Sequence, residues 1–157
     1  MAARFVRRHF VVIRSQLNLA LDIHGVKMTR TLVPSTSPYA PIIGFSRAVR
    51  VGNNISVGGT APIDATGKTV GVRDPAAQTR QCIETIKAAL EQAGASLGDV
   101  VRTRMLLTRI DDWQQIAKVR GEYFKDIRPV DTVIEVNGFI NKEWLIEIEA
   151  DAVGDRS

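Results

Sequence analysis

A chain of 157 residues, 45% hydrophobic and 24% charged, is expected to form one domain that buries roughly two-thirds of its unfolded surface. Its formal net charge of +4 sits in residues 1–27, where Arg4, Arg7, Arg8, Arg14 and Lys27 face Asp22 alone; the 16 basic and 16 acidic residues that follow cancel. A polyanion-binding surface needs clustered cations, so this interspersed charge argues against a nucleic-acid partner, and no run approaches the roughly 20 apolar residues of a membrane span.

The first 27 residues interleave arginines with Phe5, Val6, Phe10, Val11, Val12 and Ile13. Three readings stay open: a start codon placed upstream of Met28, a mitochondrial transit peptide, or an ordinary tail. A secretory signal fits less well, because the apolar run from Phe10 to Ile13 is short and broken by Arg14. The globular domain is therefore set at residues 28–157. The expected compartment is the cytoplasm, or the mitochondrion if residues 1–27 are a transit peptide.

From Thr31 to Pro41 the sequence is dense in Pro, Ser and Thr and reads as an irregular lead-in. Arg47 to Val51 alternates polar and apolar residues, and Ile55 to Val57 resumes after Gly52-Asn53-Asn54, which predicts a hairpin. Gly58-Gly59 is expected to end the second strand. The glycine-rich run that follows lacks the spacing of a phosphate loop, so Ala65 to Lys68 reads as a hairpin turn.

Asp74-Pro75 predicts a helix start, with a capping carboxylate ahead of a proline at the first helical position. Ile83, Ile86, Leu90 and Ala93 repeat at helical spacing, and Gly94 is placed to stop the helix. In the next strand, Val100 to Thr108, the alternation puts Val101, Thr103, Met105 and Leu107 on one face and Arg102, Arg104 and Leu106 on the other. A second helix is expected near Asp111-Asp112, with an apolar stripe through Trp113, Ile116, Val119 or Arg120, and Tyr123 or Phe124. Two more strands, Thr132 to Val136 and Leu145 to Val153, complete an α+β domain of order ββ, α, β, α, ββ. Two helices cover only one face of such a sheet, so the other is predicted to be apolar and to drive assembly.

The single cysteine, Cys82, excludes an intrachain disulfide and a site of several thiolates, and its place in a helical run suits a small buried hydrophobe. Both histidines, His9 and His24, precede the domain, which leaves no imidazole in it for base catalysis or metal ligation. No metal site is expected.

Four segments carry a resemblance: GNNISVGGTAPID from Gly52 to Asp64, the stretch from Gln78 to Thr108, DIRPVDTVIEV from Asp126 to Val136, and LIEIEADA from Leu145 to Ala152. Together they resemble the RidA/YjgF family over about residues 40–153. The resemblance implies a chorismate-mutase-like fold assembled as a ring-like homotrimer, with the sheets lining a central barrel and ligand clefts between subunits. It also implies hydrolysis of enamine and imine intermediates of amino-acid metabolism to keto acids and ammonia, without a cofactor. The family's substrate-binding arginine, in the pattern R-P-x-R-[ST], is matched by Asp131 in Arg128-Pro129-Val130-Asp131-Thr132. An aspartate there is expected to repel the carboxylate that a guanidinium would bind in bidentate fashion.

Other family positions are altered in the same way. Phe45 stands at the aromatic position in Gly44-Phe45-Ser46-Arg47-Ala48, Ala117 at an asparagine of the second helix, and Val133 at a strand cysteine. Gly58-Gly59, Thr60 and Glu147-Ile148-Glu149-Ala150 are retained. The resemblance thus makes Glu147 the catalytic candidate, ordering water or moving a proton, and Phe45, Gly59, Thr60, Arg120, Asp131 and Thr132 the ligand-binding candidates. Arg120 is the preferred replacement for the lost clamp, ahead of Arg47 and Arg128. The plainer alternative is that Glu147 only pairs with Arg104 or Arg120. The expected partners are an amino-acid-derived small molecule and two further copies of the chain. A binding or chaperone-like trimer without turnover is the competing reading, and a ribonuclease is disfavoured by the neutral charge of the domain.

Overall fold

Six strands hydrogen-bond in the order β1-β2-β3-β6-β4-β5, in a computed structural model that describes residues 29–155. The readings of residues 1–27, His9 and His24 included, lie outside the described residues. The strands are β1 (Arg30–Val33), β2 (Ala48–Val51), β3 (Asn54–Thr60), β4 (Val100–Leu107), β5 (Val130–Glu135) and β6 (Ile146–Val153). Only β4 and β5 run parallel, because α3 (Trp113–Phe124) crosses between them; every other neighbouring pair is antiparallel. The fold is α+β, as expected.

Local chemistry explains most boundaries. Gly52, at φ 60°, begins the two-residue turn that pairs Val51 with Asn54. Asp74 caps α2 (Pro75–Gln92) by accepting a hydrogen bond from the Ala77 amide, and Gly94, at φ 74°, takes the left-handed conformation that ends it. Arg50 is only 3% exposed and closes the same end of the helix. Its guanidinium donates to the carbonyls of Gly52, Ala93, Gly94 and Gly154 at 2.7–3.0 Å.

Helices α2 and α3 lie on one face, where Cys82, Ile83, Ile86 and Leu90 of α2 and Ile116 of α3 pack over Ile55, Met105, Leu107, Ile146 and Ile148. Cys82 is fully buried, as the helical spacing predicted, and burial pushes its thiol well above the usual range, which makes it an inert core residue. Gln78, also fully buried, donates to the Gly71 and Glu143 carbonyls and accepts from the Leu145 amide. It thereby ties the loop before β6 to the core.

The structure corrects four expectations. Arg30–Val33, overlapping the supposed lead-in from Thr31 to Pro41, form the edge strand β1, and Ala40–Ile43 at its other end form the short helix α1; β1 takes its hydrogen-bonding partners from β2, so local composition did not reveal it. Gly58-Gly59 lies inside β3, at a register shift between Val57 and Thr60 opposite β6, instead of ending the strand. Val101 is not on the core face. A bulge between Val100 and Arg102 inserts one residue, so Val100 is buried and Val101 is exposed, while Thr103, Met105 and Leu107 keep the predicted side. Lastly, the helix-free face is not uniformly apolar.

Leu32 (55% exposed), Val49 and Ile134 lie at the flanks of that face, but its centre carries Glu147, Glu149, Asp151, Arg102 and Arg104. Arg104 bridges Glu149 at 3.2 Å and Asp151 at 3.0 Å. All three side chains are more than a third exposed, so each pair contributes at most about 1 kcal/mol. The same alternation that buries Ile146, Ile148, Ala150 and Ala152 turns these carboxylates away from the helices.

Candidate functional site

Glu147 is half-buried on β6 beside the β3 bulge, and glycine is what lets it lie there. A Cβ at position 59 would sit 2.8 Å from Glu147 Oε2, inside van der Waals contact. Burial raises the Glu147 pKa above the usual carboxylate range; the Arg47 charge opposes this and the neighbouring Glu149 charge adds to it. Neither Arg104 nor Arg120 pairs with Glu147, since Arg104 is taken by Glu149 and Asp151 and Arg120 by Asp131. A desolvated carboxyl group binds its proton more tightly than a free one, which suits it to acid–base work.

Arg47 builds the bulge under Glu147. Its Nη1 donates to the Gly59 carbonyl at 2.8 Å, to Thr60 Oγ1 at 3.1 Å and to the Gly58 carbonyl at 3.4 Å, and its Nη2 donates to Ser35 Oγ at 3.3 Å. Thr60 is fully buried and donates onward to the Gly58 carbonyl at 2.8 Å. Within the chain its hydroxyl therefore shapes the bulge. Desolvation lowers the Arg47 pKa, opposed by Glu147 and Cys82. Among the described residues no carboxylate lies within ion-pairing distance of this guanidinium, so its interaction with Glu147 acts through space.

Exchanging Gly59 for alanine tests this geometry. The clash falls on the tip of a flexible side chain, so the carboxylate moves and the backbone stays. We expect a loss of under about 1 kcal/mol in stability. The titration of Glu147, followed by carboxyl 13C NMR, should move down toward the ordinary range as the group is pushed into solvent. An unmoved titration would mean that Gly59 does not set the environment of Glu147.

A second cluster forms on the opposite, helix-covered face. Thr103 of β4 pairs with Asp131 of β5 in parallel register, and both face α3. Thr103 Oγ1 donates to Asp131 Oδ1 at 2.6 Å and accepts from Arg120 Nη2 at 2.9 Å. Arg120 Nε stands 3.4 Å from Asp131 Oδ2, and its guanidinium lies 5.2 Å from the Phe124 ring centroid. The side chains of Arg120 and Asp131 are 17% and 25% exposed. Beside them opens a cavity of about 280 Å³, lined also by Trp113, Ala117, Lys125 and Val133.

The predicted site residues thus fall into two groups within one chain. Glu147 and Gly59 share the helix-free side of the central strands. Arg120 and Asp131 share the cavity under α3. Phe45 is half-buried just after α1, and Thr132 is exposed on β5 opposite Arg104, facing away from Asp131. Another cavity, of about 330 Å³, lies between α2 and the segment from Ala61 to Ala65 and is lined by Arg47; Glu147 lines neither cavity.

Thr103 and Trp113 were missed as site residues because each fits a structural pattern, one as a core-face strand residue and the other as the first stripe residue of a helix. The available signal was a hydroxyl on an otherwise apolar strand face; the 52% exposure of Trp113 exists only once α3 has packed.

A mixed six-stranded sheet backed by two helices, with a raised-pKa glutamate beside a glycine bulge, defines a class of small α+β proteins. Residues 35–154 match the family described as endoribonuclease L-PSP, and the chain belongs to this family, the RidA/YjgF family. A RutC family protein from Pyrococcus abyssi is 38% identical over 123 residues, 78% of this chain and 96% of that protein. The 3-aminoacrylate deaminase RutC of Acinetobacter baylyi is 38% identical over 115 residues, 73% of this chain and 86% of the relative. Among solved structures, Rv2704 from Mycobacterium tuberculosis, a member of the YjgF/YER057c/UK114 family, aligns with TM-score 0.72 and 43% identity, covering 80% of this chain and 99% of that one. The chain is thus a RidA-like small-molecule protein. No helix among the described residues is long and apolar enough to cross a membrane.

Proposed function

We propose that the chain hydrolyses small enamines or imines to a carbonyl compound and ammonia, as a homotrimer with clefts between subunits. The observation that carries this reading is the Glu147 carboxyl group, desolvated beside Gly59 with its pKa raised. The 38% identity to a protein named 3-aminoacrylate deaminase supports it. Assembly is supported by the apolar residues flanking the charged centre of the helix-free face. The subunit boundary would bring the Glu147 side of one copy to the Asp131 edge of the next.

In this mechanism the protonated Glu147 gives its proton to the β-carbon of the enamine, leaving an iminium ion and a carboxylate. The carboxylate then takes a proton from water as the water oxygen bonds to the iminium carbon, forming a carbinolamine. Glu147 passes that proton to the amine, the C–N bond breaks to release ammonia, and the hydroxyl proton returns to the carboxylate. One water is consumed and Glu147 ends protonated, as it began. The raised pKa suits the first step, which needs the acid form.

A trimer that binds a metabolite without turning it over is the second reading. It is favoured by one observation: the charge of Arg120 is matched by Asp131. To separate the two, 2-aminoacrylate and its uncharged primary amide, 2-aminoacrylamide, are each generated in situ and ammonia release is followed for the wild type, Asp131→Asn and Glu147→Gln. A rate above the buffer background that falls at least about a hundredfold in Glu147→Gln supports hydrolysis. Background rates with both compounds in all three proteins would leave a binder. Light scattering that gave a monomer at micromolar concentration would remove the trimer.

A further inference from the structure

A second chemical environment, apart from Glu147, lies in the cavity under α3. Its interior cation, Arg120, already has an anionic neighbour: Nε is 3.4 Å from Asp131 Oδ2, and Thr103 links Nη2 to Asp131 Oδ1 through two hydrogen bonds of 2.9 and 2.6 Å. The charge reversal expected from the sequence is thus a cancellation. The remaining cation of the lining, Lys125, is exposed, and a hydrated ammonium draws an anion only weakly. A carboxylate entering here would lose its hydration, meet Asp131 as a like charge, and find no unmatched cation inside.

Asp131 Oδ2 is differently placed from Oδ1. Among the described residues it accepts no hydrogen bond from the protein, so an acceptor oxygen is left beside the cavity. Trp113, Ala117 and Val133 supply an apolar wall, and the volume of about 280 Å³ is at the small end for ligand sites. We propose that this cavity receives an uncharged, N–H-bearing end of the ligand, of the primary-amide class, and excludes a carboxylate. This deepens the proposed function by naming the substrate class, and it rests on that reading only in assigning both groups to one ligand.

The two tryptophans give a direct readout. Trp113 lines the cavity, whereas Trp144 is 7% exposed in a separate small cluster with Ala61 and Ile63 and serves as an internal control. Isobutyramide and isobutyrate, matched in shape and different in charge, are titrated against the 15N-labelled full chain while both indole N–H signals are observed. The amide is expected to shift the Trp113 signal and not that of Trp144, with isobutyrate at least about tenfold weaker. In Asp131→Asn the order reverses, because Arg120 loses its counter-charge: isobutyrate should bind at least about tenfold tighter than to the wild type. Asp131→Ser gives the same comparison should the asparagine variant fail to fold.

Equal binding of the two probes to the wild type overturns the proposal. So does a Trp113 signal that responds to neither, or a position 131 variant that gains no carboxylate binding. These readouts do not depend on turnover. The expected probe pattern with no hydrolysis by any variant would sink the enzymatic reading alone. Hydrolysis dependent on Glu147, with equal probe binding, would sink this inference alone.

Discussion

Replacing Glu147 by glutamine is expected to reduce enamine hydrolysis by about 10²- to 10⁴-fold, the range that a positioned acid–base group supplies. Glutamine keeps the shape beside Gly59 and loses the transferable proton, so the loss should fall on kcat with little change in KM. The pH profile carries its own sign. Burial raises the Glu147 pKa, and the first step needs the protonated form, so wild-type kcat/KM should fall as pH rises through the raised value. That limb should be absent from the residual rate of the variant.

Stability should move the opposite way. A carboxyl group whose folded pKa lies above its unfolded one binds its proton more tightly in the folded state. The stabilisation is present below the unfolded value and is lost as pH rises through the folded one. Above the raised value the wild type therefore carries a desolvated carboxylate that the glutamine variant lacks. Urea midpoints should show Glu147→Gln as the more stable protein at about pH 8, with the difference closing toward about pH 4. A variant less stable at both pH values would mean that Glu147 makes a structural contact, and its catalytic role would lose its main support.

The largest loss of stability is expected at Arg50. Replacing it by methionine keeps much of the apolar stem but removes a buried guanidinium that satisfies four carbonyls, from Gly52, Ala93, Gly94 and Gly154. These belong to the β2–β3 turn, the end of α2 and the end of β6, so one side chain holds three elements that are distant in sequence. Leaving the two buried carbonyls, of Ala93 and Gly154, and two partly buried ones without their donor should cost about 3–4 kcal/mol. For a domain of this size that is a fall of roughly 6–15 °C in Tm. Arg50→Lys should recover only part of it, because one ammonium cannot span the spread of the fork. A loss below about 1 kcal/mol would show that water replaces the guanidinium.

Particular residues show where the sequence was legible. Asp74-Pro75, the stripe from Ile83 to Leu90 and Gly94 specify a helix by local chemistry alone, and the helix formed where they placed it. Gly52-Asn53 did the same for the β2–β3 turn. The edge strand β1 was illegible because its hydrogen-bonding partners lie in β2, and the bulge at Val101 was illegible because it arises only when β4 meets β6. The candidate site followed the same division. Glu147 was read from its motif, but Arg47 reads as an ordinary surface cation until the bulge folds around it.

The sequence by itself determined the class of fold and the neutral charge of the domain. Those follow from periodicity, turn chemistry and composition, each acting over a few residues. Tertiary structure alone decided that Asp131 and Arg120 cancel each other through Thr103, and that Glu147 lies desolvated beside Gly59 with its pKa raised. Charge balance and desolvation depend on which groups meet across strands β3, β4, β5 and β6 and helix α3, and those meetings are made by the packing of the whole domain.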